Sequence, residues 1–496
     1  MARRGSSNQD DYKEKKTNKK KITKNIFFRI IFVVYVLLTI VFFGYIVSIN
    51  MVPTKYLVIL AVIILGITAG LSIGILRPKK KKAINIVCTL TACCILAVYG
   101  TAYYYLGNAL NFIGTMSNIN EETEEYYVVA LKDSKFNKIE DIKGKELYMF
   151  EIADGFKDVQ TEISSKVKVN FKKEDNLDTL SSNLLNKKVD VILVGSVQYS
   201  MITDEKENFK SKTKIIYTAT HKIKENKPEE IKDNKSKYTI ENGVFNVYIS
   251  GIDTDGRISN VSRSDANIVA TINTKTNEVL LTSIPRDYYV VLHSKKAKDK
   301  LTHSGIYGIN ETITTVQDLL GIDINYYVRV NFTTVIKVVD AIGGVDVNSD
   351  VAFSSVGYSY KKGMNHLNGK QALAFSRERY SFAGGDRQRG KNQQKVIEAI
   401  IKKLTSSTTV LTKYTNILNS LSSSFQTNVE QKDISSLVKM QLDTMPSWKI
   451  SNMSLDGTGA NLTTYSAGSQ KLYVMIPDQN TVKEAKSKID SILDGK

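Results

Sequence analysis

The sequence predicts an α/β protein: a mixed central sheet flanked by helices, preceded by a small α/β accessory domain and an all-α membrane anchor. Three observations predict it. Three apolar stretches, residues 26–49, 56–76 and 83–106, follow one another near the start of the chain. From Tyr126 to about Thr220 short strand-like runs alternate with helical ones. Beyond Lys237 longer β-rich runs return, interleaved with amphipathic helices, and continue to Lys496.

The anchor comes first. Each apolar stretch is about 20 residues or longer, the length a helix needs to cross the hydrocarbon core. A cleaved signal peptide does not fit the first: its run is too long, it lacks a small-residue cleavage site, and two more stretches follow. Charge agrees. Residues 1–107 carry 16 Lys/Arg against 3 Asp/Glu, a net +13 of the chain's +18. The basic flanks 13–24 and 77–82 belong on the cytoplasmic side, where they also meet anionic lipid. The link 50–55 then lies outside, as does everything from about Gly107 onward. The expected layout is a basic cytoplasmic tail 1–25, an anchor 26–107, a linker 108–125, an accessory domain 126–221 and a principal domain 238–496. This topology excludes nucleic acid as a partner, because only the first 25 residues and the loop 77–82 stay inside, and neither forms a fold.

Cys88, Cys93 and Cys94 all lie in the third apolar stretch, so the outer domains have neither disulfides nor thiol nucleophiles. His221, His293, His303 and His366 lack zinc-like spacing. Any metal must therefore be a hard one held by carboxylates.

In the accessory domain strands are expected at 127–131, 146–150 and 189–194 and a helix at 177–186. The order Asp141–Lys145, Leu180–Lys187, Val189–Leu193 resembles a lobe of an extracellular solute-binding protein, without a sharp motif, and a plain accessory scaffold is the alternative. The acidic run 118–125 reads as a linker, and so does the Lys/Glu-rich run 222–237. In the principal domain strands are expected at 244–250, 266–273 and 278–284, the last two joined as a hairpin. A helix at 309–320 places Ile309, Ile313, Val316 and Leu320 on one face. A strand at 326–332 leads to a helix at 333–342 closed by Gly343-Gly344. Further helices are expected at 368–375, 390–404, 410–423 and 481–493, with strands at 448–455 and 472–476.

Two charged clusters carry the chemistry. The first is Asp253-Thr254-Asp255-Gly256-Arg257, Ser262-Arg263-Ser264-Asp265 and Pro285-Arg286-Asp287. Each group falls where a strand meets a loop, the place where open α/β sheets bind ligands. Two carboxylates beside arginines suit one hard cation bridging protein and phosphate oxygens, and surface ion pairing is the plainer alternative. The second is Arg377-Glu378-Arg379 through Gly384-Gly385-Asp386-Arg387-Gln388-Arg389-Gly390-Lys391-Asn392-Gln393. The arginine fork matches phosphate oxygens, so this density points to a polyanion, with pyrophosphate the economical candidate. A solvated basic face is the alternative. The glycines permit close backbone approach to a ligand, and Arg377-x-Arg379 places two arginines on one side of an extended chain.

Gly251-Ile252-Asp253, Ser262–Asp265, Ser283–Asp287, Gly343-Gly344-Val345 and Arg377–Gln393 together, in this order, resemble the LytR–CpsA–Psr family. The three membrane helices and the domain before the core are similar to its capsule-attachment branch. The resemblance implies a phosphotransferase that moves an anionic glycopolymer, capsular polysaccharide or teichoic acid, from a polyprenyl-pyrophosphate carrier to peptidoglycan. It implies that Asp253 and Asp265 bind Mg2+ or Mn2+, and that Arg263, Arg286, Arg377, Arg379, Arg387, Arg389 and Gln393 surround the pyrophosphate. Arg263, Arg377, Arg379 and Asp265 are the expected catalytic set, with Asp265 either base or metal ligand only. A lipid-pyrophosphate hydrolase would use the same residues.

Overall fold

The computed structural model describes residues 7–76, 82–116, 121–152, 155–224, 237–252, 258, 260–406 and 425–495. It divides into one unit of residues 1–111 and 431–445 and another of residues 112–430 and 446–496.

The first unit holds helices α1 (Ser7–Ile49), α2 (Thr54–Leu76) and α3 (Lys82–Met116). Three segments within them, Ile26–Ile49, Thr54–Leu76 and Ala83–Gly107, are long and apolar enough to cross a membrane. Asn50, at φ 54°, ends α1 in the left-handed conformation, and Pro53 precedes the first residue of α2. Phe32, Tyr35, Leu71, Ile75 and Ala92 form the packed seam of the three helices. The basic tail continues α1 back to Ser7. The loop 77–81 lies outside the described residues. A helix Gln431–Thr444, which the sequence did not announce, also belongs to this unit.

The accessory domain contains β1 (Glu121–Leu131), β2 (Glu146–Met149), α4 (Gly155–Lys166), β3 (Asn170–Lys173), α5 (Leu177–Leu185), β4 (Val191–Gly195), α6 (Ser196–Glu205) and β5 (Thr213–Lys224). Its sheet runs β3-β2-β4-β1-β5. Central β4 is buried at every residue, as its unbroken Val-Ile-Leu-Val requires. Asn176 caps α5, accepting from Thr179 N at 2.7 Å. The linker expected at 118–125 is partly wrong. Glu121–Glu125 belong to β1 and pair with Thr220–Lys224 of β5. Buried Glu124 registers opposite His221 and accepts from the Tyr126 hydroxyl at 2.5 Å. Of the second expected linker, 225–236 lies outside the described residues.

The principal domain contains β6 (Val244–Ile252), β7 (Ser264–Asn273), β8 (Glu278–Ile284), α7 (Ile309–Leu320), β9 (Tyr326–Val330), α8 (Phe332–Ala341), α9 (Gly369–Arg377), α10 (Asp386–Thr405), β10 (Phe425–Thr427), β11 (Lys449–Ser454) and α11 (Gln479–Asp494). Six strands form one sheet in the order β10-β9-β6-β7-β8-β11. The β9–β6 and β8–β11 pairs are parallel and the others antiparallel, so the sheet is mixed as expected.

Strand alternation divides the sheet's two faces. Tyr248, Val269 and Leu280 pack with Ile313, Val316 and Ile489 of α7 and α11. Ile249 and Val328, on the other face, look toward α8 and α10. The result is three layers, helix–sheet–helix. Helix α7 has the bounds the periodicity predicted and stops at Gly321, which has φ 62°. A hairpin of Gly457–Thr464 with Gly468–Pro477 was only half anticipated. Its first strand, Gly-Thr-Gly-Ala-Asn-Leu-Thr-Thr, is rich in residues that favour turns. The helix expected at 410–423 lies outside the described residues.

Candidate active site

Strand register brings the first cluster to one end of the sheet. Gly251 at the end of β6 faces Ala266 near the start of β7 and also Val330 at the end of β9. Asn267 faces Ile284 at the end of β8. Asp265 and Arg286 therefore meet: Arg286 Nη1 lies 2.8 Å from Asp265 Oδ1. Thr302 fastens both, with its hydroxyl donating to Asp265 Oδ1 and its N–H to the Arg286 carbonyl, each at 2.8 Å. Burial pushes the Asp265 carboxyl up, but Arg286 and Arg263 outweigh it and hold the group below the usual range. Burial alone would depress Arg286, whereas Asp265 and Asp287 raise it. The pair is ionised at neutral pH.

Asp265 Oδ2 is buried and has no hydrogen-bond partner among the described residues. A buried carboxylate oxygen with an open lone pair fits a hard cation. Asp253 and Asp255 lie outside the described residues. Among the described residues no group of three His, Cys, Asp or Glu converges.

The second cluster comes from the junction of α9 and α10. Asn368 caps α9, accepting from Gln371 N at 3.0 Å. Arg377 is its last residue, with the guanidinium 3.9 Å from the centre of the Phe332 ring. Arg379 donates to the Tyr380 hydroxyl at 2.6 Å. Helix α10 begins at Asp386, earlier than expected, directly after Gly385 at φ 49°. Arg387 and Arg389 are thus helical. Arg389 pairs with Asp386, and burial pushes both toward neutrality, lowering the arginine and raising the aspartate. Arg387 turns away: it pairs with Asp456 at 2.6 Å and donates to the Gly457 carbonyl at 2.7 Å. The glycines also act differently from expectation. Gly385 makes the turn into α10, and at Gly390 an added Cβ would sit 3.1 Å from Ser283 Oγ. Gly390 thus serves the close packing of α10 on β8.

Two cavities meet here. An apolar one of about 410 Å³ runs between the sheet and the helices, lined by Ile249, Val328, Val335, Val338, Val396 and Ile400 among others, with Asp265, Arg377, Arg389 and Gln393 also in its wall. A polar cleft of about 760 Å³ is lined by Arg263, Arg286, Arg377, Arg379 and Arg389. Arg377 and Arg389 belong to both. Of the residues singled out in the sequence, the structure brings together Asp265, Arg263, Arg286, Arg377, Arg379, Arg389 and Gln393, and leaves out Arg387.

Some residues at the site were not foreseen. His303 lines the polar cleft, and its Nδ1 lies 2.6 Å from Asp299 Oδ1; Asp299 Oδ2 accepts from the Ser466 backbone N–H and hydroxyl. This fixes the orientation of the imidazole. The Asp299-x-x-x-His303 spacing was a signal, hidden by its distance from the arginine motifs. Buried Arg329 donates to the Asn260 carbonyl at 3.1 Å, holding the connection from β6 to β7. Asp204 of α6 pairs with Arg263 at 2.6 Å.

The model of the LytR_cpsA_psr family matches residues 210–489. The chain belongs to the LytR_cpsA_psr family. Its match starts inside the accessory domain, just before β5. The chain is 38% identical to the polyisoprenyl-teichoic acid–peptidoglycan teichoic acid transferase TagU of Enterococcus faecalis, over 43% of this chain and 71% of that protein. It is 34% identical to the TagU of Bacillus mycoides, over 45% of this chain and 75% of that protein. The crystal structure of B. subtilis TagU shares 31% identity, covering 50% of this chain and 96% of that chain at a TM-score of 0.40.

Proposed function

We propose that this protein transfers a cell-wall glycopolymer from a polyprenyl-pyrophosphate carrier to peptidoglycan. One observation carries this reading beyond the names of the relatives: an apolar cavity suited to a hydrocarbon chain and a cleft of arginines share Arg377 and Arg389. A lipid joined to a polyanion has that same division of chemistry. The polymer is a capsular polysaccharide or a teichoic acid, and a hydrolase reading differs only in having water as the acceptor.

A peptidoglycan hydroxyl attacks the phosphorus that bears the polymer, forming a new P–O bond. The bond from that phosphorus to the bridging oxygen breaks, polyprenyl monophosphate leaves, and the hydroxyl proton passes to a base. Arg263, Arg286, Arg377, Arg379 and Arg389 bind the pyrophosphate and stabilise the charge that moves onto the leaving phosphate. Gln393 lies in the wall of the apolar cavity with Arg377 and Arg389. Asp253 and Asp265 are the residues that would hold Mg2+ or Mn2+, and such an ion supplies further neutralisation of the phosphate oxygens. An ionised carboxylate held by Arg286 and Arg263 is a weak base, so the surroundings of Asp265 favour the ligand role.

Filling the apolar cavity tests the lipid assignment. Val338→Trp should weaken binding of geranyl pyrophosphate at least about tenfold (~1.4 kcal/mol) and leave inorganic pyrophosphate unaffected. Equal binding of geranyl pyrophosphate by native and variant proteins would place the lipid elsewhere.

The localisation that goes with this reading is a multi-pass anchor with the N-terminus in the cytoplasm and the catalytic domain outside. A reporter fused after Gly107 should be active only outside the cell, and one inserted at Lys80 only inside. The reverse pattern would remove the domain from its peptidoglycan acceptor.

A further inference from the structure

Three arginines of the polar cleft are nearly enclosed, with side-chain exposures of 8% for Arg263, 14% for Arg286 and 12% for Arg389. Each has one aspartate within hydrogen-bonding distance among the described residues. Asp265 holds Arg286 and Asp386 holds Arg389, and both aspartates come from the catalytic core. The third comes from the accessory domain: Asp204 Oδ2 on α6 accepts from Arg263 Nη1 at 2.6 Å, and Ser200 Oγ, one turn earlier, accepts from Nη2 at 3.1 Å. We propose that Asp204 is a positioning residue for the pyrophosphate site, so that the accessory domain completes the arginine set.

Two further observations support this. The accessory domain also grips the backbone leading to Arg263, through Val261 N donating to the Thr123 carbonyl at 2.8 Å and the Thr123 hydroxyl donating to Asn260 Oδ1 at 3.0 Å. Behind Arg263 the chain is pressed on Gly305, where an added Cβ would lie 2.4 Å from the Ser262 carbonyl oxygen. The backbone is thus fixed from both sides, and only the aim of the side chain is left to set. An arginine beside Arg286 and Arg389 is repelled toward solvent unless an anion holds it. Among the described residues Asp204 and Ser200 occupy two of its five N–H donors. Asp204 also lies within electrostatic reach of Arg286. The inference rests on reading these arginines as pyrophosphate ligands.

Titration of the full-length protein in detergent with geranyl pyrophosphate tests it, with melting temperature measured on every variant. Asp204→Ala should bind about tenfold more weakly, as expected for loss of the group that orients a charge-assisted contact. Asp204→Glu should recover most of that loss. The pair Asp204→Ala with Arg263→Ala should bind no more weakly than Arg263→Ala alone, since a positioning residue acts only through its arginine. Lys187→Ala, which breaks the exposed accessory-domain pair with Asp133, should bind as the native protein does and so excludes general damage to that domain. Unchanged or tighter binding by Asp204→Ala would overturn the proposal, the latter making Asp204 a competitor for Arg263. Additive losses in the double variant would overturn it as well. Arg377→Ala separates the two levels: if it too binds normally, the pyrophosphate reading itself is wrong, and if it alone binds weakly, only the role of Asp204 is lost.

Discussion

Arg377→Ala should lower turnover by about two to three orders of magnitude while the domain stays folded. Arg377 ends α9 with its guanidinium over Phe332 and lines both cavities, which on the proposed function is where lipid and pyrophosphate would join. Loss of one donor to the developing phosphate charge should cost about 2–4 kcal/mol of transition-state stabilisation, as for an oxyanion donor. The side chain is exposed rather than part of the core, and its removal leaves no large void. Arg379→Ala should behave alike. Lysine at either position should restore only part of the rate, because an ammonium lacks the planar fork. Full activity in both lysine variants would show that charge alone suffices.

Asp265 should give the second large effect, and there stability and chemistry must be separated. Asp265→Ala leaves Arg286 buried without its main anion, a change that costs about 3–5 kcal/mol in comparable pairs. Asp265→Asn preserves shape and one acceptor, and is the better probe. It should be inactive even at saturating magnesium, whereas Asp253→Ala, as a ligand only, should be partly rescued by excess metal. Chelation should silence the native enzyme, and magnesium or manganese should restore it. Turnover unchanged in excess chelator would reject the metal role of both residues and leave the arginines to neutralise the pyrophosphate alone. The depressed pKa adds a pH signature. The Asp265 contribution to stability is fully present above the unfolded carboxyl value near 3.8 and is lost as pH falls through the lower folded value. Asp265→Asn should lack that acid limb.

The sequence made the layers and most of the site legible for different reasons. Helix α7 was readable to the residue because Ile309, Ile313, Val316 and Leu320 keep one face and Gly321 supplies the stop. The arginines were readable because five of the cleft's arginines sit in dense local motifs. Arg387 misled for the same reason: density says nothing about direction, and the start of α10 at Asp386 points it to Asp456. The acidic strand Glu121–Glu125 was read as a linker because local charge suggested solvent, while the basic partner strand lies about 100 residues on. Asp204 could not be found by motif at all. It acts across the fold on Arg263, and such a pair has no signature along the chain.

The central claim is transfer, and the most direct measurement is product analysis. Full-length protein is incubated with a polyprenyl-pyrophosphate-linked glycopolymer and peptidoglycan fragments, and the products are analysed by mass. The account predicts polymer joined to a peptidoglycan sugar through one phosphodiester, with an equal amount of polyprenyl monophosphate released. Release of polyprenyl monophosphate together with free polymer phosphate, the fragments unchanged, would contradict transfer and make the protein a hydrolase.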